Sequence, residues 1–397
     1  MESMPGTALP PIPMLDLQRQ YAAVGDAIGR AVADVCAAGR FILGREVAEF
    51  EAAVQHATGA ADAVGCASGT DALWLALQSL GIGPGHAVVT TPFSFFATAS
   101  SILRVGARPV LADIDPASFN LAPDAVEQAI VSNADVKAVM PVHLYGQCAD
   151  WDHLAPLAEK HGLLLVEDAA QAFGATWRGT AAGALGHAGA FSFYPTKNLS
   201  AWGDAGLSTF RDAAVGELAR ALRAHGMRQR YYHDEVGWNS RLDTVQAAVL
   251  LVKMRHIEQW NTGRARVAAQ YTALFQQAGL QGTVQDGGIV LPTADVRGTH
   301  VWHQYVIRTP NRDALRDHLA AQGIGSEIYY PVPLHRQAAL QHLGYRDGDF
   351  PESERAAREV LALPIYPELR PDEQERVVQA VGQFLQGDAA GRSLPSH

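Results

Sequence analysis

The sequence has few cysteines, little charge and no long hydrophobic run, and each of these absences excludes a class of protein. Its three cysteines (Cys36, Cys66 and Cys148) are widely spaced and odd in number. They therefore argue against a disulfide framework or a thiolate metal site, and fit small buried side chains in a reducing compartment. Charged residues make up only 18% of the chain and the net charge is −10, with the acidic residues scattered. Because a nucleic-acid backbone needs a concentrated basic face, we expect no nucleic-acid partner.

No apolar stretch reaches the length that crosses a bilayer, and residues 1–14 are proline-rich without a basic region before an apolar run. We therefore expect no membrane association, no signal peptide and a cytoplasmic location. The length of 397 residues exceeds one ordinary core, so the sequence predicts two domains, at residues 1–255 and 256–397.

Short apolar runs rich in β-branched residues alternate with helical patterns through the first half of the chain. This alternation predicts βαβ units and a mostly parallel sheet covered on both faces. The predicted strands are residues 63–66, 87–90, 108–112, 136–140, 163–166 and 188–193, and the predicted helices include 14–38, 46–56, 97–104 and 151–161.

The second half predicts a smaller α+β domain. A long helical pattern runs from Asp243 to about Trp260 and beyond, and would link the two domains. Strands are expected near residues 303–308 and 324–330, and helices at 312–322 and 371–386. The residues from Gly387 onward are expected to form a frayed tail.

The most informative segment is residues 191–199, where a strand ends and Lys197 follows in a short polar turn. Ligands of open α/β sheets bind beyond the carboxyl ends of the strands, and a lysine that loses water there becomes a nucleophile toward carbonyls. Taken alone, any lysine is more often a surface residue. Here Ser192 offers a hydroxyl for a phosphate, and the Gly203–Gly206 turn lets backbone approach closely.

Asp168 ends a hydrophobic strand, where an acid is costly unless a cation or donor meets it. A protonated pyridine nitrogen is such a partner, and the carboxylate would keep that nitrogen protonated. Gln171 could then bond the phenolic oxygen of the same ring. An aspartate that caps a helix is the common alternative, whereas a metal ligand is a weaker one because no nearby His/Asp pair completes a shell.

Two further segments suit a phosphorylated ring. At residues 67–74 a strand passes through Gly69 into a helix, so that free amides and the Thr70 hydroxyl form a phosphate site. The segment matches neither a Walker loop nor a GxGxxG fingerprint. Residues 92–96 place aromatic rings after a strand, where one could lie flat on a cofactor, although such rings are more often core.

Together these segments resemble the DegT/StrS-type (DegT/DnrJ/EryC/StrS) sugar aminotransferases, a branch of the fold-type I pyridoxal-phosphate enzymes. The resemblance covers nearly the whole chain and implies an aspartate-aminotransferase-like α/β domain with a mostly parallel mixed sheet, followed by a smaller α+β domain. The segments that carry it most specifically are residues 68–73, 141–146, 167–172, 191–199 and 237–243.

The resemblance implies that pyridoxal 5'-phosphate is the cofactor and that Lys197 forms the Schiff base and moves the substrate proton. It places Asp168 on the pyridine nitrogen, Gln171 at the phenolic oxygen and Phe95 against the ring. The residues implied to hold the phosphate are Gly69, Thr70, Asp71 and Ser192. Asn239 resembles the asparagine that reaches the neighbouring subunit's phosphate site, which implies a homodimer with shared active sites.

On the substrate side, the resemblance points to Tyr330, His335, Arg228 and Tyr232; without it, these residues read as a packed strand end and solvated loop residues. The implied reaction moves an amino group from L-glutamate to a 3-keto or 4-keto nucleotide-diphosphate hexose, with no metal. A dehydratase of the same superfamily carries histidine in place of the lysine, so Lys197 argues against it. The open alternatives are an aminotransferase for a cyclitol or another keto substrate, and a non-catalytic regulatory protein of the same fold.

Overall fold

A seven-stranded mixed sheet forms the centre of this computed structural model, which describes residues 10–392, with side chains to residue 387. The helices are α1 (Leu17–Ala38), α2 (Arg45–Thr58), α3 (Gly69–Ser79), α4 (Ala97–Arg104), α5 (Pro123–Val131), α6 (Trp151–His161), α7 (Ala213–Leu222), α8 (Thr244–Met254), α9 (Ile257–Gln277), α10 (Arg312–Ala321), α11 (Pro351–Glu359) and α12 (Pro371–Arg392). The strands are β1 (Asp62–Cys66), β2 (Ala87–Thr90), β3 (Arg108–Leu111), β4 (Val136–Val139), β5 (Leu164–Asp168), β6 (Thr176–Trp177), β7 (Thr180–Ala181), β8 (Ala188–Ser192), β9 (Gly206–Phe210), β10 (Met227–Gln229), β11 (Tyr232–His233), β12 (Gly298–Thr299), β13 (Tyr305–Arg308) and β14 (Val360–Leu363).

The strand order of the central sheet is β1-β9-β8-β5-β4-β2-β3. The strands from β8 to β3 are parallel, whereas β9 runs antiparallel to both β8 and β1. The mostly parallel mixed sheet that the sequence predicts is therefore confirmed. The carboxyl ends of parallel strands lie at the same edge of a sheet. The last residues of β5 and β8 therefore lie at one edge.

Both faces of the sheet are buried, as the continuous apolar runs of the parallel strands require. Successive strand residues alternate between two hydrophobic cores, as Leu165 and Val166 of β5 show. One core includes α2 and α8, and the other includes α3 and α7. Because helices pack on both faces of the sheet, the strands that carry the site residues at their ends are held rigidly.

A third core lies in the C-terminal part, around the antiparallel pair β13–β14 and the helices α9, α10 and α12. The chain's beginning joins this core, because Ile12 pairs with Ile324 and is buried there. The division at residues 255 and 256 stays a prediction. Within residues 10–392, no helix is both long and apolar enough to cross a membrane.

Three sequence-based expectations about elements are wrong. The long helix after Asp243 is two helices, because the His256 amide bonds the Lys253 carbonyl three residues back (2.9 Å) and ends α8 in a tighter turn. Residues 324–330 form no strand; isolated bridges at Ile324 and Glu327 are the only β pairing of that described segment. The expected tail from Gly387 is helical to residue 392, and residues 393–397 lie outside the described part.

Candidate active site

Asp168 is the last residue of β5, and backbone pairing on both sides fixes it. It pairs with Ala190 of β8, while its amide donates to the Pro141 carbonyl (2.9 Å) and its carbonyl accepts from the His143 amide (2.9 Å). The side chain is only 4% exposed. The carboxylate is therefore held at the carboxyl edge of the sheet, away from bulk water.

Two hydrogen bonds hold the Asp168 carboxylate, but no charged partner does. The Thr98 hydroxyl donates to Oδ2 (2.7 Å) and the Ala170 amide donates to Oδ1 (3.2 Å). Burial raises the pKa of Asp168, while these bonds and the charge of Lys197 act in the opposite direction. Among the residues that the structure describes, no lysine or arginine pairs with this carboxylate. A cationic ligand would offset that deficit.

Lys197 lies in the turn that follows β8, the strand next to β5. Its amide donates to the Tyr194 carbonyl (2.8 Å), which closes the turn. Burial lowers the pKa of the Lys197 amine to about 8, and the Asp168 charge opposes this shift. Within the described part of the chain, Nζ makes no hydrogen bond or ion pair. A large fraction of the amine is therefore unprotonated near pH 8 and able to attack a carbonyl.

Gln171 is held by its neighbours with one N–H to spare. Its Oε1 accepts from the Tyr145 amide (2.7 Å), and its Nε2 donates to the Tyr330 hydroxyl (3.1 Å). Burial raises the pKa of Tyr330, so the hydroxyl keeps its proton. An amide nitrogen has two hydrogens, so Gln171 can still donate to a phenolic oxygen.

The start of α3 packs tightly against the ends of β8 and β9. The Ser68 hydroxyl caps the helix by accepting from the Asp71 amide (3.2 Å). A Cβ at Gly69 would lie 2.5 Å from the Ser192 Cβ, and one at Gly206 would lie 2.2 Å from the Ser68 carbonyl oxygen. The predicted close approach of backbone is therefore present. It brings the Ser192 hydroxyl to a helix N-terminus, which is a site for an anion.

The Asp71 side chain points to other partners than a phosphate. Its carboxylate forms an ion pair with Arg104 and accepts a hydrogen bond from the Ser240 hydroxyl (2.8 Å). The Arg104 guanidinium also lies over the rings of Trp74 and Trp238, at 4.9 and 5.4 Å from their centres. Asp71 thus ties the start of α3 to the segment that carries Asn239.

Of the three aromatic residues after β2, Phe95 is the most exposed, and the ring centres of Phe93 and Phe95 both lie 6.3 Å from that of Tyr330. Phe93 is fully buried in the C-terminal core, whereas Phe95 is 58% exposed. The Phe95 ring centre lies 6.3 Å from that of Tyr330. An exposed ring beside the Gln171–Tyr330 pair is suitably placed to cover a planar cofactor.

Of the remaining predicted residues, Asn239 precedes Ser240, which bonds Asp71, whereas no hydrogen bond or ion pair among the described residues joins Arg228, Tyr232 or His335 to Asp168 or Lys197. Asn239 is exposed, and its backbone pairs with Ala224. Arg228 and Tyr232 are exposed on the hairpin β10–β11. His335 is only 2% exposed, bonds Glu354 through Nε2 (3.1 Å) and packs on Phe350, so the structure does not bring it to the site.

Several residues that organise the site were not predicted from the sequence. Thr98 holds Asp168, and the Ser94 and Thr98 hydroxyls are 2.8 Å apart; because Thr98 donates its hydrogen to Asp168, Ser94 donates to Thr98. Tyr145 orients Gln171 through its amide. Asn198 is buried directly after Lys197. In the sequence, the only signals for them are the hydroxyl of Thr98 at the start of a predicted helix and the amide of Asn198 beside the lysine.

The groups at this sheet edge match the chemical groups of pyridoxal phosphate. A buried carboxylate without a cation suits a protonated pyridine nitrogen, and an unpartnered amine with a lowered pKa suits an aldehyde. The free N–H of Gln171 suits a phenolic oxygen, and the start of α3 with Ser192 suits a phosphate.

Comparison with known proteins agrees with this fit. Residues 23–382 match the model of the DegT/DnrJ/EryC1/StrS aminotransferase family. A pleiotropic regulatory protein of Geobacillus stearothermophilus is 46% identical over 94% of this chain and 98% of its own length. A UDP-N-acetyl-3-dehydro-alpha-D-glucosamine 3-aminotransferase of Acidithiobacillus ferrooxidans is 42% identical over 95% of this chain and 98% of its own.

Among solved structures, S. venezuelae DesV in complex with a ketimine intermediate superimposes with a TM-score of 0.90, at 42% identity over 95% of this chain and 99% of that one. The fold-type I architecture is thereby confirmed. The chain belongs to the DegT/DnrJ/EryC1/StrS aminotransferase family and is a pyridoxal-phosphate-dependent transaminase.

Proposed function

We propose that this chain transfers an amino group from L-glutamate to C3 of a 3-keto hexose that is linked to a nucleotide diphosphate, as a step of amino-sugar biosynthesis. The observation that carries the proposal is a pair of ionisable groups at one sheet edge: the buried carboxylate that ends β5 and the partly buried amine in the turn after β8. Asp168 is a carboxylate without a cation and Lys197 is an amine with a lowered pKa, and each influences the other's pKa. Perturbed ionisable groups that meet at a strand edge are typical of catalytic sites.

When bound, pyridoxal phosphate supplies an aldehyde carbon that takes up the amino group and a ring that takes up electrons. The Asp168 carboxylate would hold a proton on the ring nitrogen, and the Thr98 hydroxyl keeps that carboxylate in place. The Lys197 Nζ, as a free amine, would take the proton from the carbon that loses the amino group and deliver it to the carbon that receives the amino group. Phe95 would cover the ring, and Gln171 would donate to its oxygen. The chain thus provides one acid–base group and one fixed counter-charge.

The preference for C3 follows from the relative that acts on a 3-dehydro sugar nucleotide. A 4-keto hexose and a cyclitol are the alternatives within the same chemistry, because the cofactor-side residues do not distinguish the acceptors. The exposed residues Arg228 and Tyr232 are the proposed contacts to the sugar nucleotide, and Tyr330 is the proposed contact near the reacting carbon.

We also propose a homodimer with shared active sites. Phe41, Ile42 and Leu43 are exposed large apolar side chains, and the bridge between Ile42 and Asp243 places them beside the segment that carries Asn239. An exposed apolar patch of this kind marks a protein contact. A second copy that covers it would bring Asn239 near the neighbouring phosphate site.

The test separates the two half-reactions. Protein loaded with pyridoxal phosphate is mixed with L-glutamate alone, and 2-oxoglutarate is measured. We expect one equivalent per chain without an acceptor, and continued turnover only when a keto sugar nucleotide is added. A panel of 3-keto and 4-keto hexoses on UDP, dTDP and GDP, with a keto cyclitol as control, then identifies the acceptor. Absence of 2-oxoglutarate from the wild type, or equal amounts from Lys197→Ala, would refute the proposal.

The regulatory alternative has one observation behind it, the name of the Geobacillus relative. A protein without catalysis has no need for a partly buried amine beside a buried carboxylate, since both groups cost stability. This chain retains both. A wild type that binds pyridoxal phosphate but never releases 2-oxoglutarate would favour the regulatory alternative.

A further inference from the structure

Asn198, the residue directly after Lys197, is bonded through every polar group of its side chain. It is 6% exposed. Its Nδ2 donates to the Val301 carbonyl (2.8 Å) and to Asn261 Oδ1 (2.8 Å), and its Oδ1 lies 3.2 Å from His303 Nδ1. Because a carbonyl only accepts, the orientation of the amide is fixed. All three partners belong to the C-terminal part of the chain.

Asn261 extends this connection to the segment that follows Asp168. It lies on α9, and its Nδ2 donates to the Phe173 carbonyl (3.1 Å), five residues after Asp168 in sequence. A Cβ at Gly174 would lie 2.6 Å from this nitrogen, so a glycine leaves room for the amide. Two amides in series therefore join the segment after Asp168 to the segment after Lys197.

His303 completes the connection as an uncharged group. Since Asn198 Oδ1 can only accept, His303 Nδ1 carries the hydrogen of this bond. Burial lowers the pKa of His303, and the charges of Lys197, Arg264 and His300 lower it further. Arg264 also donates to the His303 carbonyl (3.3 Å), which fixes the backbone. The ring is therefore a neutral donor in a fixed position beside the lysine segment.

We propose that Asn198, Asn261 and His303 form a neutral clamp that positions Lys197 relative to Asp168 and limits the access of water to the partly buried amine. The inference rests on the proposed roles of Lys197 and Asp168. The three clamp residues act through Lys197 and are positioning residues. Loosening the clamp would let water reach the amine, and the pKa of Lys197 would rise toward that of an ordinary lysine.

The experiment measures how the full chain, freed of cofactor, captures pyridoxal phosphate as a function of pH. The wild type should show a midpoint set by the Lys197 amine. In Asn198→Ala and His303→Leu the midpoint should move up by about one unit or more, toward the ordinary lysine value of about 10.4. His303→Asn restores a donor at the position of Nδ1 and should keep the midpoint near that of the wild type.

Val377→Ala is the matched control for lost stability, because it removes buried volume from α12 in the C-terminal core, away from the lysine. It should lower the melting temperature without moving the midpoint. Clamp variants that lose stability yet keep the wild-type midpoint would show a purely structural role and overturn the proposal. A wild type that captures cofactor no better than Lys197→Ala would instead overturn the proposed function, and the clamp with it.

Discussion

Burial shifts the pKa values of Asp168 and Lys197 toward the uncharged form of each group. Burial raises the pKa of Asp168, so the folded chain keeps a proton that the unfolded chain releases. That contribution to stability is present below the ordinary carboxyl pKa of about 3.9 and is lost as the pH rises through the raised value. For Lys197 the lowered pKa has a related effect: its burial destabilises the fold below about pH 8, and this cost is relieved as the pH rises further.

Asp168→Asn should therefore separate stability from function. We expect the cofactor-free variant to melt at the same temperature as the wild type or higher near pH 7. A buried charge is removed and Thr98 can still donate to the amide oxygen, so that only the longer hydrogen bond from the Ala170 amide (3.2 Å) is lost. Activity should fall by about 100-fold or more, as expected for a group that controls a catalytic proton.

The same variant should gain less thermal stability from added pyridoxal phosphate than the wild type does. Melting curves between pH 5 and 8, with and without cofactor, provide the measurement. A cofactor-free variant that is clearly less stable than the wild type would show that the fold stabilises the charge of Asp168, contrary to a carboxylate without a paired cation.

The sequence predicts the individual site residues but not the residues to which they form hydrogen bonds. Asp168, Lys197 and Gln171 stand in recognisable segments at strand ends. Thr98 is 70 positions from Asp168 in sequence, and their bond exists only because α4 packs above the sheet edge. The burial of His335 against Glu354 likewise depends on how the C-terminal segments fold back.

Among the elements, the junction of α3 with β8 and β9 sets the geometry of the proposed phosphate site. Gly206 begins β9 and approaches the Ser68 carbonyl so closely that a Cβ would lie 2.2 Å from the oxygen. This neighbour is a backbone atom, which cannot move away by rotation as the end of a flexible side chain can. Any side chain at this position must displace the start of α3 and its amides.

Gly206→Ala should therefore weaken binding of pyridoxal phosphate by about tenfold or more, in proportion to the cost of overpacking a tight contact. Gly29→Ala is the matched control, since Gly29 lies in α1 and a Cβ there would meet no atom of the described residues within 4 Å. The control should bind normally and gain up to about 1 kcal/mol of stability. Cofactor titrations followed by absorbance test both. Equal affinities for Gly206→Ala and the control would show that the junction does not shape the site.

The sequence predicts most elements of the parallel sheet because their apolar runs are buried on both faces. It predicts the second half less well. The run at 324–330 has β-like composition, but Pro331 and Pro333 follow it and cannot donate to a ladder. The break between α8 and α9 depends on a tight turn at residues 255–256 that helical periodicity does not reveal.

For the whole molecule, the proposed dimer predicts complementation between two inactive variants. Lys197→Ala lacks the amine, and Asn239→Asp would place a negative charge beside the neighbouring phosphate. Unfolding and refolding the two together should give mixed dimers with one intact site, and about a quarter of the wild-type sites in a statistical mixture.

Activity of the mixture, compared with each variant refolded alone, gives the answer. Light scattering of the wild type and of Ile42→Asp supplies the control for assembly, since a charge on the apolar patch should favour the monomer. A dimer whose mixed form stays inactive would show that each site is built from one chain. Neither the patch nor its partner could be predicted from local sequence patterns, because exposure depends on the complete fold.

The central claim is that Lys197 is the amine that reacts with pyridoxal phosphate, and Lys253 offers an internal competitor. Lys253 is 3% exposed, donates only to the Ser200 hydroxyl (3.0 Å) among the described residues, and has its pKa lowered to about 8 by burial. The two amines therefore differ in their surroundings more than in their basicity. Of these two lysines, only Lys197 interacts with the charge of Asp168 among the described residues.

Borohydride reduction of the loaded protein, followed by peptide mass spectrometry, measures which lysine carries the cofactor. The expected result is one pyridoxyl group per chain on Lys197, lost in Lys197→Ala and retained in Lys253→Met. A pyridoxyl group on Lys253, or labelling of Lys197→Ala equal to that of the wild type, would contradict the central claim.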